Sequence, residues 1–167
     1  MKELAGEAWE TWEHYNSYED WLICITTNGT VKKNGDAVMG AGIASQAKKL
    51  YPAFPSLLGS KLKNYGNDVH YLGDNIITFP VKHNWYETAD IDLIIKSCKQ
   101  LMNALDNLTV KRGYDVYAIL PRPGCGNGKL DWETQVKPVI SKILDDRIWV
   151  ISYEQSGPQI DPSIDRR

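Results

Sequence analysis

The sequence predicts a three-layer α/β/α fold, in which a mixed, mostly parallel sheet is covered by helices on both faces. Short apolar, β-branched runs alternate along the 167 residues with segments of helical periodicity, which is the pattern of such sheets. Glycine-rich turns at residues 38–44 and 121–128 are each followed by a segment of helical character. The composition, 43% hydrophobic and 24% charged, is that of one ordinary globular domain with its own core.

Residues 1–66 are predicted to form one strand and three helices. Residues 7–20 are rich in Trp and Tyr and predict a helix that packs its aromatic rings on the domain. Residues 22–27 are a β-branched run that predicts a buried strand. We expect further helices over residues 42–51, where Pro52 ends the pattern, and over residues 57–65, before a glycine.

A hairpin and the clearest helix follow. Residues 69–72 and 76–80 read as two strands around the turn Gly73-Asp74-Asn75. Residues 90–107 predict an amphipathic helix, because their apolar side chains recur at steps of three and four residues.

The remaining elements complete the alternation. Residues 115–120 predict a buried strand that runs into the second glycine turn. Residues 132–144 predict a helix with Pro138 interrupting its middle, and residues 147–152 predict the last strand. Residues 154–167 are polar and contain proline, so we expect a loosely held tail after a domain of residues 1–153.

The two glycine turns predict a binding site for phosphate. A glycine loop that opens onto a helix N-terminus presents unpaired N–H groups, and the helix dipole adds positive potential there. Ligands of parallel sheets bind outside the carboxyl ends of the strands, where Asn28 and the second turn are predicted to lie. Two such loops suggest a pair that closes on a diphosphate, although glycines also mark ordinary tight turns.

The composition of the chain restricts the classes of partner, compartment and cofactor that we expect. The net charge of −2 argues against broad attraction to nucleic acid or to membrane surfaces. No apolar run is long enough for a signal peptide or a membrane span. The three cysteines, Cys24, Cys98 and Cys125, are odd in number and widely spaced, which fits the reducing cytoplasm. No cluster has metal-ligand spacing, so we expect no metal and no cofactor.

Four strings of residues resemble the macro domain family. They are Thr27-Asn28, residues 38–44, residues 79–85 and residues 121–132, in the order in which that family carries them. The resemblance covers residues 24–152 and looks closest to the lysine-containing branch. That branch includes enzymes that remove ADP-ribose from acidic side chains and an antitoxin that removes it from DNA. The resemblance implies a macro domain that binds ADP-ribose.

The resemblance also implies roles for individual residues. Asn28 matches the asparagine that fixes the hydroxyls of the distal ribose, and Lys82 matches a lysine used near the anomeric carbon, in one branch as a covalent nucleophile. Glu7 falls near the adenine-binding acidic residue. The two phosphate loops correspond to Gly40, Ala41, Gly42 and Ile43, and to Gly124, Cys125, Gly126, Asn127 and Gly128.

The chain departs from the family at two places. Residues 29–37 form a longer connection than usual, so the wall of the ribose pocket is not predictable. Gly128 stands where the protein-deglycosylating branch has an aspartate, and Asp131 is either a helix N-cap or a catalytic acid. Amides around Cys125 could lower its pKa, but a small residue in a tight turn is the simpler interpretation. Tyr153 is a candidate cover for adenine.

The function expected from the resemblance is removal of ADP-ribose from a modified protein or DNA, with Asn28 and Lys82 as catalytic residues. Two alternatives remain open, a phosphatase acting on ADP-ribose 1″-phosphate and a non-catalytic reader of ADP-ribose or a related nucleotide. Lys82 would attack as a neutral amine, which requires a pKa below the usual ~10.4. The carrier of ADP-ribose and the oligomeric state stay open.

Overall fold

The computed structural model describes residues 1–153, so the predicted tail, residues 154–167, lies outside the described residues. Its six strands form one sheet in the order β1-β6-β5-β2-β4-β3, in which only the β3–β4 pair is antiparallel. The predicted mixed, mostly parallel sheet is confirmed. The strands are β1 Lys2–Ala5, β2 Trp21–Asn28, β3 Tyr71–Gly73, β4 Ile76–Lys82, β5 Tyr117–Pro121 and β6 Ile148–Ser152.

Helices cover both faces of this sheet and enclose two cores. Side chains of β2 alternate between them, with Leu22 and Cys24 in one core and Ile23 and Ile25 in the other, all fully buried. The first core also takes the apolar face of α4, and the second takes α1, α2 and α3. The helices are α1 Ala8–Asn16, α2 Gly42–Leu50, α3 Phe54–Tyr65, α4 Ile91–Arg112 and α5 Lys137–Ile140.

The helix predicted over residues 132–144 is wrong in its extent. Trp132–Val136 is a π-helical segment, in which the N–H of Val136 donates to the carbonyl of Asp131 at 3.2 Å, and α5 is a single turn. Pro138 has no N–H and so cannot continue a ladder of i to i−4 bonds, which explains the break. Asp131 caps the π-helical segment by accepting from the N–H of Thr134 at 2.8 Å.

Several other boundaries differ from the prediction. Helix α1 ends at Asn16 rather than at residue 20, α3 begins at Phe54 rather than at residue 57, and β5 begins at Tyr117 rather than at residue 115. Strand β1 was not predicted, because Leu4 is its only strongly apolar residue and its edge position leaves most of it exposed. Strand β3 begins at Tyr71 rather than at residue 69. Helix α4 continues past residue 107 to Arg112, since its terminator is Gly113 in the left-handed conformation, with φ of 84°.

Residues 29–37, the long connection after β2, pack tightly on helix α3. Val31 and Ala37 form an isolated antiparallel bridge, and the N–H of Ala37 donates to the carbonyl of Pro55 at 2.8 Å. The backbone of Gly35 lies so close to Gly59 of α3 that a Cβ at Gly59 would overlap the Gly35 carbonyl. Within residues 1–153, no helix has the length and apolar character needed to cross a bilayer.

Candidate functional site

A cleft of about 970 Å³ opens at the carboxyl ends of the four central parallel strands. The last residues of β2, β4, β5 and β6, which are Asn28, Lys82, Pro121 and Ser152, all line it. Sheets of this type bind ligands at this edge, because the loops that follow the strands converge there.

The first glycine turn leads into α2 and leaves the amides of that helix available. The N-cap residue, Ala41, makes no side-chain hydrogen bond, and the first turn contains no acidic residue. Among the described residues, the N–H groups of Gly42, Ile43 and Ala44 donate to no protein group. Free amides at a helix N-terminus, together with the helix dipole, favour the binding of an anion.

The second glycine turn is a tight loop that only glycine can build at two positions. Gly124 has a left-handed φ of 77°. A Cβ at Gly128 would lie 2.5 Å from the carbonyl oxygen of Gly124 and 2.7 Å from the Cβ of Ala89. The loop is closed by the N–H of Leu130, which donates to the Gly124 carbonyl at 2.9 Å. The N–H groups of Gly126 and its two following residues have no protein acceptor within residues 1–153.

The two turns meet across the cleft. Gly42 has a φ of 56°, and a Cβ built on it would lie 3.6 Å from Nδ2 of Asn127. Both turns line the same cleft although they are far apart in the sequence. An anion held by the α2 amides would therefore also be in reach of the second loop.

Asn28 ends strand β2 and fixes both ends of the long connection. Its Nδ2 donates to the carbonyl of Val38 at 3.1 Å, and its Oδ1 accepts from the N–H of Thr30 at 2.9 Å. The amide keeps a second N–H and a second lone pair. Asn28 can therefore bind a ligand hydroxyl without breaking these bonds.

Lys82 ends strand β4 beside Asn28, its partner in the sheet register. Its Nζ donates to the carbonyl of Trp85 at 3.3 Å. No carboxylate of residues 1–153 forms an ion pair with this ammonium. Trp85, whose side chain is 56% exposed, also lines the cleft.

The start of α1 also lines the cleft. Glu7 lines it while capping the helix, because its Oε2 accepts from the N–H of Glu10 at 2.7 Å. Gln46 lies opposite on α2, and its Oε1 accepts from the indole N–H of Trp9 at 3.1 Å, which turns the NH₂ group of Gln46 away from the indole. Tyr153 lines this cleft too and is 74% exposed.

The fold has known counterparts among solved structures. No protein-family model matches the sequence, and no curated protein matches it. The macrodomain of Thermus aquaticus DarG is similar at 24% identity, with a TM-score of 0.66 over 92% of this chain and 97% of that one. The macrodomain of Mycobacterium tuberculosis DarG is similar at 21% identity, with a TM-score of 0.65 over 90% and 95%.

The chain has the macrodomain fold. Thermosipho africanus DarTG, solved in complex with ADP-ribose, is also similar at 21% identity, with a TM-score of 0.59. That match covers 82% of this chain and 39% of the DarTG chain.

The macrodomain cleft brings together every predicted site residue except Cys125. Cys125 is absent from the lining, and its thiol donates to the carbonyl of Pro123 at 3.5 Å. Burial raises the pKa of this thiol to about 11, so surrounding amides do not activate it. Asp131, with its carboxylate committed to the helix cap, does not line the cleft either. Binding of phosphate by the two loops stays a prediction.

Four charged, amide or aromatic side chains of the cleft lining are not among the predicted site residues. Trp85 and Arg122 stood inside the strings that carry the macrodomain resemblance but were given no role. Gln46 follows Gly42 by one helical turn, which is a usable signal for a shared face. Lys32 comes from the long connection and has no sequence signal.

The charge of the cleft comes from four of its lining side chains. Lys32, Lys82 and Arg122 line it with a single carboxylate, Glu7, from the described part of the chain. The guanidinium of Arg122 lies 4.9 Å from the ring centroid of Trp132. Among the described residues the cleft lining therefore has more basic than acidic side chains, in a protein whose net charge is −2. Within residues 1–153, no three His, Cys, Asp or Glu side chains are grouped to hold a metal ion.

Proposed function

We propose that this chain binds ADP-ribose in the cleft and hydrolyses the bond that joins it to a modified protein or DNA. The observation that carries the proposal is the convergence of two turns, whose amides donate to no group of residues 1–153, on one cleft that Lys32 and Lys82 also line. A diphosphate supplies the negative charge that such amides and lysines attract. The similarity to DarTG in complex with ADP-ribose supports the same ligand.

We assign the parts of the ligand from the positions of the strand ends. The diphosphate lies between the two glycine turns, and the base lies toward Glu7, at the start of α1. The distal ribose then lies toward Asn28 and Lys82, which are neighbours in the sheet. The remaining N–H and lone pair of Asn28 hold ribose hydroxyls, and Lys82 acts at the anomeric carbon.

Lys82 assists cleavage in one of two protonation states. A neutral amine attacks the anomeric carbon and forms a C–N bond, while the bond to the carrier breaks and the carrier takes the electron pair and the proton that the nitrogen loses. Water then cleaves the C–N bond, which releases ADP-ribose and regenerates the amine. An ammonium instead donates a hydrogen bond to the departing atom of the carrier. Turnover rises with pH in the first case and falls in the second, so a pH profile distinguishes them.

The lysine–aspartate pair of the protein-deglycosylating branch is not reproduced here. A side chain at position 128 has no room, since its Cβ would overlap the Gly124 carbonyl. Glu7, the one carboxylate that lines the cleft within residues 1–153, lies at the start of α1. The lack of the lysine–aspartate pair favours a second candidate function, that of a reader that binds ADP-ribose without cleaving it.

One variant separates the candidates. We expect Lys82→Ala to keep the ADP-ribose affinity, measured by calorimetry, within about threefold while losing at least ~100-fold in turnover. Substrates for turnover are ADP-ribosylated DNA, ADP-ribosylated protein and ADP-ribose 1″-phosphate. Lys99→Ala, an exposed lysine of α4, is the matched control.

The outcomes are distinct. No heat of binding with ADP-ribose would refute the shared premise. Binding without turnover on any substrate would support the reader, and turnover on the 1″-phosphate alone would support the phosphatase. Equal turnover of Lys82→Ala and the Lys99→Ala control would remove Lys82 from the chemistry.

A further inference from the structure

Asn67, which lies between α3 and β3, contacts the backbone of Lys82. Its Nδ2 donates to the Lys82 carbonyl at 2.9 Å across 15 residues of sequence. Its Oδ1 is buried and accepts no hydrogen bond from residues 1–153. A buried acceptor without a partner destabilises a fold, so a residue that keeps one calls for an explanation beyond stability.

Gly29 makes the approach of Asn67 possible. The N–H of Gly29 donates to the carbonyl of His83 at 3.1 Å. A Cβ at Gly29 would lie 2.7 Å from that carbonyl oxygen and 2.9 Å from Nδ2 of Asn67. Position 29 must therefore lack a side chain for Asn67 to reach Lys82.

Thr30 supplies a third fixed point. Its Oγ1 accepts from the N–H of Trp85 at 3.0 Å, and the Trp85 carbonyl accepts from Nζ of Lys82 at 3.3 Å. Residues 82–85 are thus held at the carbonyls of Lys82 and His83 and at the amide of Trp85. The bond from Gly29 continues the pairing of β2 with β4 by one residue beyond Lys82, the last residue of β4, whereas the bonds from Asn67 and Thr30 come from outside that pairing.

We propose that Asn67 is a positioning residue that sets the direction in which Lys82 enters the cleft. The donor of Asn67 fixes the peptide that follows Lys82, and Gly29 leaves the space for it. Without that donor the peptide loses one of its three fixed points, and even a small rotation there displaces the long lysine side chain relative to Asn28. The inference rests on the proposed role of Lys82 in turnover.

The test compares Asn67→Asp with Asn67→Ala. Asp has the shape of Asn but replaces the donor by an ionised oxygen that faces the Lys82 carbonyl. We expect kcat to fall roughly 10- to 100-fold in both variants, at least as far in Asp as in Ala, because misplacement of about 1 Å has effects of this size. The Kd for ADP-ribose stays within about threefold of wild type, because the phosphate loops are untouched.

Asn16→Ala is the matched control. Asn16 also holds strand backbone with its amide, since its Oδ1 accepts from the N–H of Trp21 at 3.1 Å, but at the opposite end of β2. The inference is overturned if Asn67→Ala and Asn16→Ala have the same kcat. It is also overturned if the isosteric Asp variant retains wild-type kcat, because packing alone would then account for Asn67.

A measurement independent of turnover separates failure of this inference from failure of the proposed function. Crystal structures of wild type and Asn67→Ala report the distance from Lys82 Nζ to the Trp85 carbonyl. We expect this bond to be lost in the variant, and an unchanged lysine position would overturn the inference. If the lysine moves but Lys82→Ala retains full turnover, the positioning holds and the proposed chemistry fails.

Discussion

The replacement of Gly42 by Glu tests the phosphate site most directly. Gly42 has a φ of 56°, lies at the first position of α2 and lines the cleft. Any other residue there is strained by about 1–2 kcal/mol, because the left-handed region disfavours a Cβ. Space is available, since the nearest atom to that Cβ is Nδ2 of Asn127 at 3.6 Å. The variant should therefore fold, and Gly42→Gln carries the same strain without the charge.

The expected loss of affinity follows from the geometry. The Glu carboxylate at position 42 lies between two loops that would hold a diphosphate. Two like charges about 4 Å apart repel by about 4 kcal/mol at an effective dielectric constant near 20. That energy corresponds to roughly a thousandfold rise in the Kd for ADP-ribose. The Gln variant has no such repulsion, so its Kd rises far less.

Calorimetry with ADP-ribose measures both Kd values, and urea unfolding measures both stabilities. We expect Gly42→Glu and Gly42→Gln to lose similar stability but to differ by two to three orders of magnitude in Kd, as charge repulsion of this size requires. Equal Kd values would refute the reasoning, since the site would then not respond to charge. Wild-type affinity in both variants would place the phosphates elsewhere.

Two further predictions concern stability. Gly128→Ala places a Cβ 2.5 Å from the Gly124 carbonyl oxygen, so we expect the free energy of unfolding in urea to fall by about 1–3 kcal/mol. Gly126→Ala is the control, because a Cβ at that position has no neighbour within 4 Å, and its free energy of unfolding should fall by less than about 1 kcal/mol. The hydrogen bond from Lys96 lowers the pKa of Asp68 in the folded state. The ion pair therefore contributes about 0.2–1 kcal/mol to the free energy of unfolding above pH ~4, and this contribution is lost as the pH falls through the folded-state pKa. The drop in urea midpoint between neutral and acid pH should therefore be smaller in Asp68→Asn than in wild type, and equal drops would contradict the assignment.

Local sequence patterns predicted the strands and helices whose side chains form the core. Strand β2 and helix α4 have unbroken apolar periodicity, so their existence and type follow from the sequence. Strand β1 depends instead on hydrogen bonds to β6, with Leu4 paired to Ile151, and a polar edge strand leaves no such pattern. The π-helical segment arises from the geometry around Pro138, which marks a break but not the form that it takes.

The residues of the candidate site also fall into those that the sequence predicts and those that it does not. The glycine turns and Asn28 occupy strand ends, and the parallel topology brings strand ends together, so their proximity is predictable. Lys32 reaches the cleft only because the long connection folds back on α3. The contact of Asn67 with Lys82 joins two loops whose relative position depends on the whole sheet. Such contacts are set by tertiary packing and leave no local signal.

The contact between Gly35 and Gly59 has a consequence for how the cleft keeps its shape. The long connection forms one wall, and its backbone lies against helix α3 with no side chain between them. The conformational entropy of this wall is lost during folding, so an incoming ligand has no loop to order. The position of this wall is then set in part by Gly59, which does not itself line the cleft. A larger residue at position 59 would collide with the Gly35 carbonyl and displace the connection that brings Thr30 and Lys32 to the cleft.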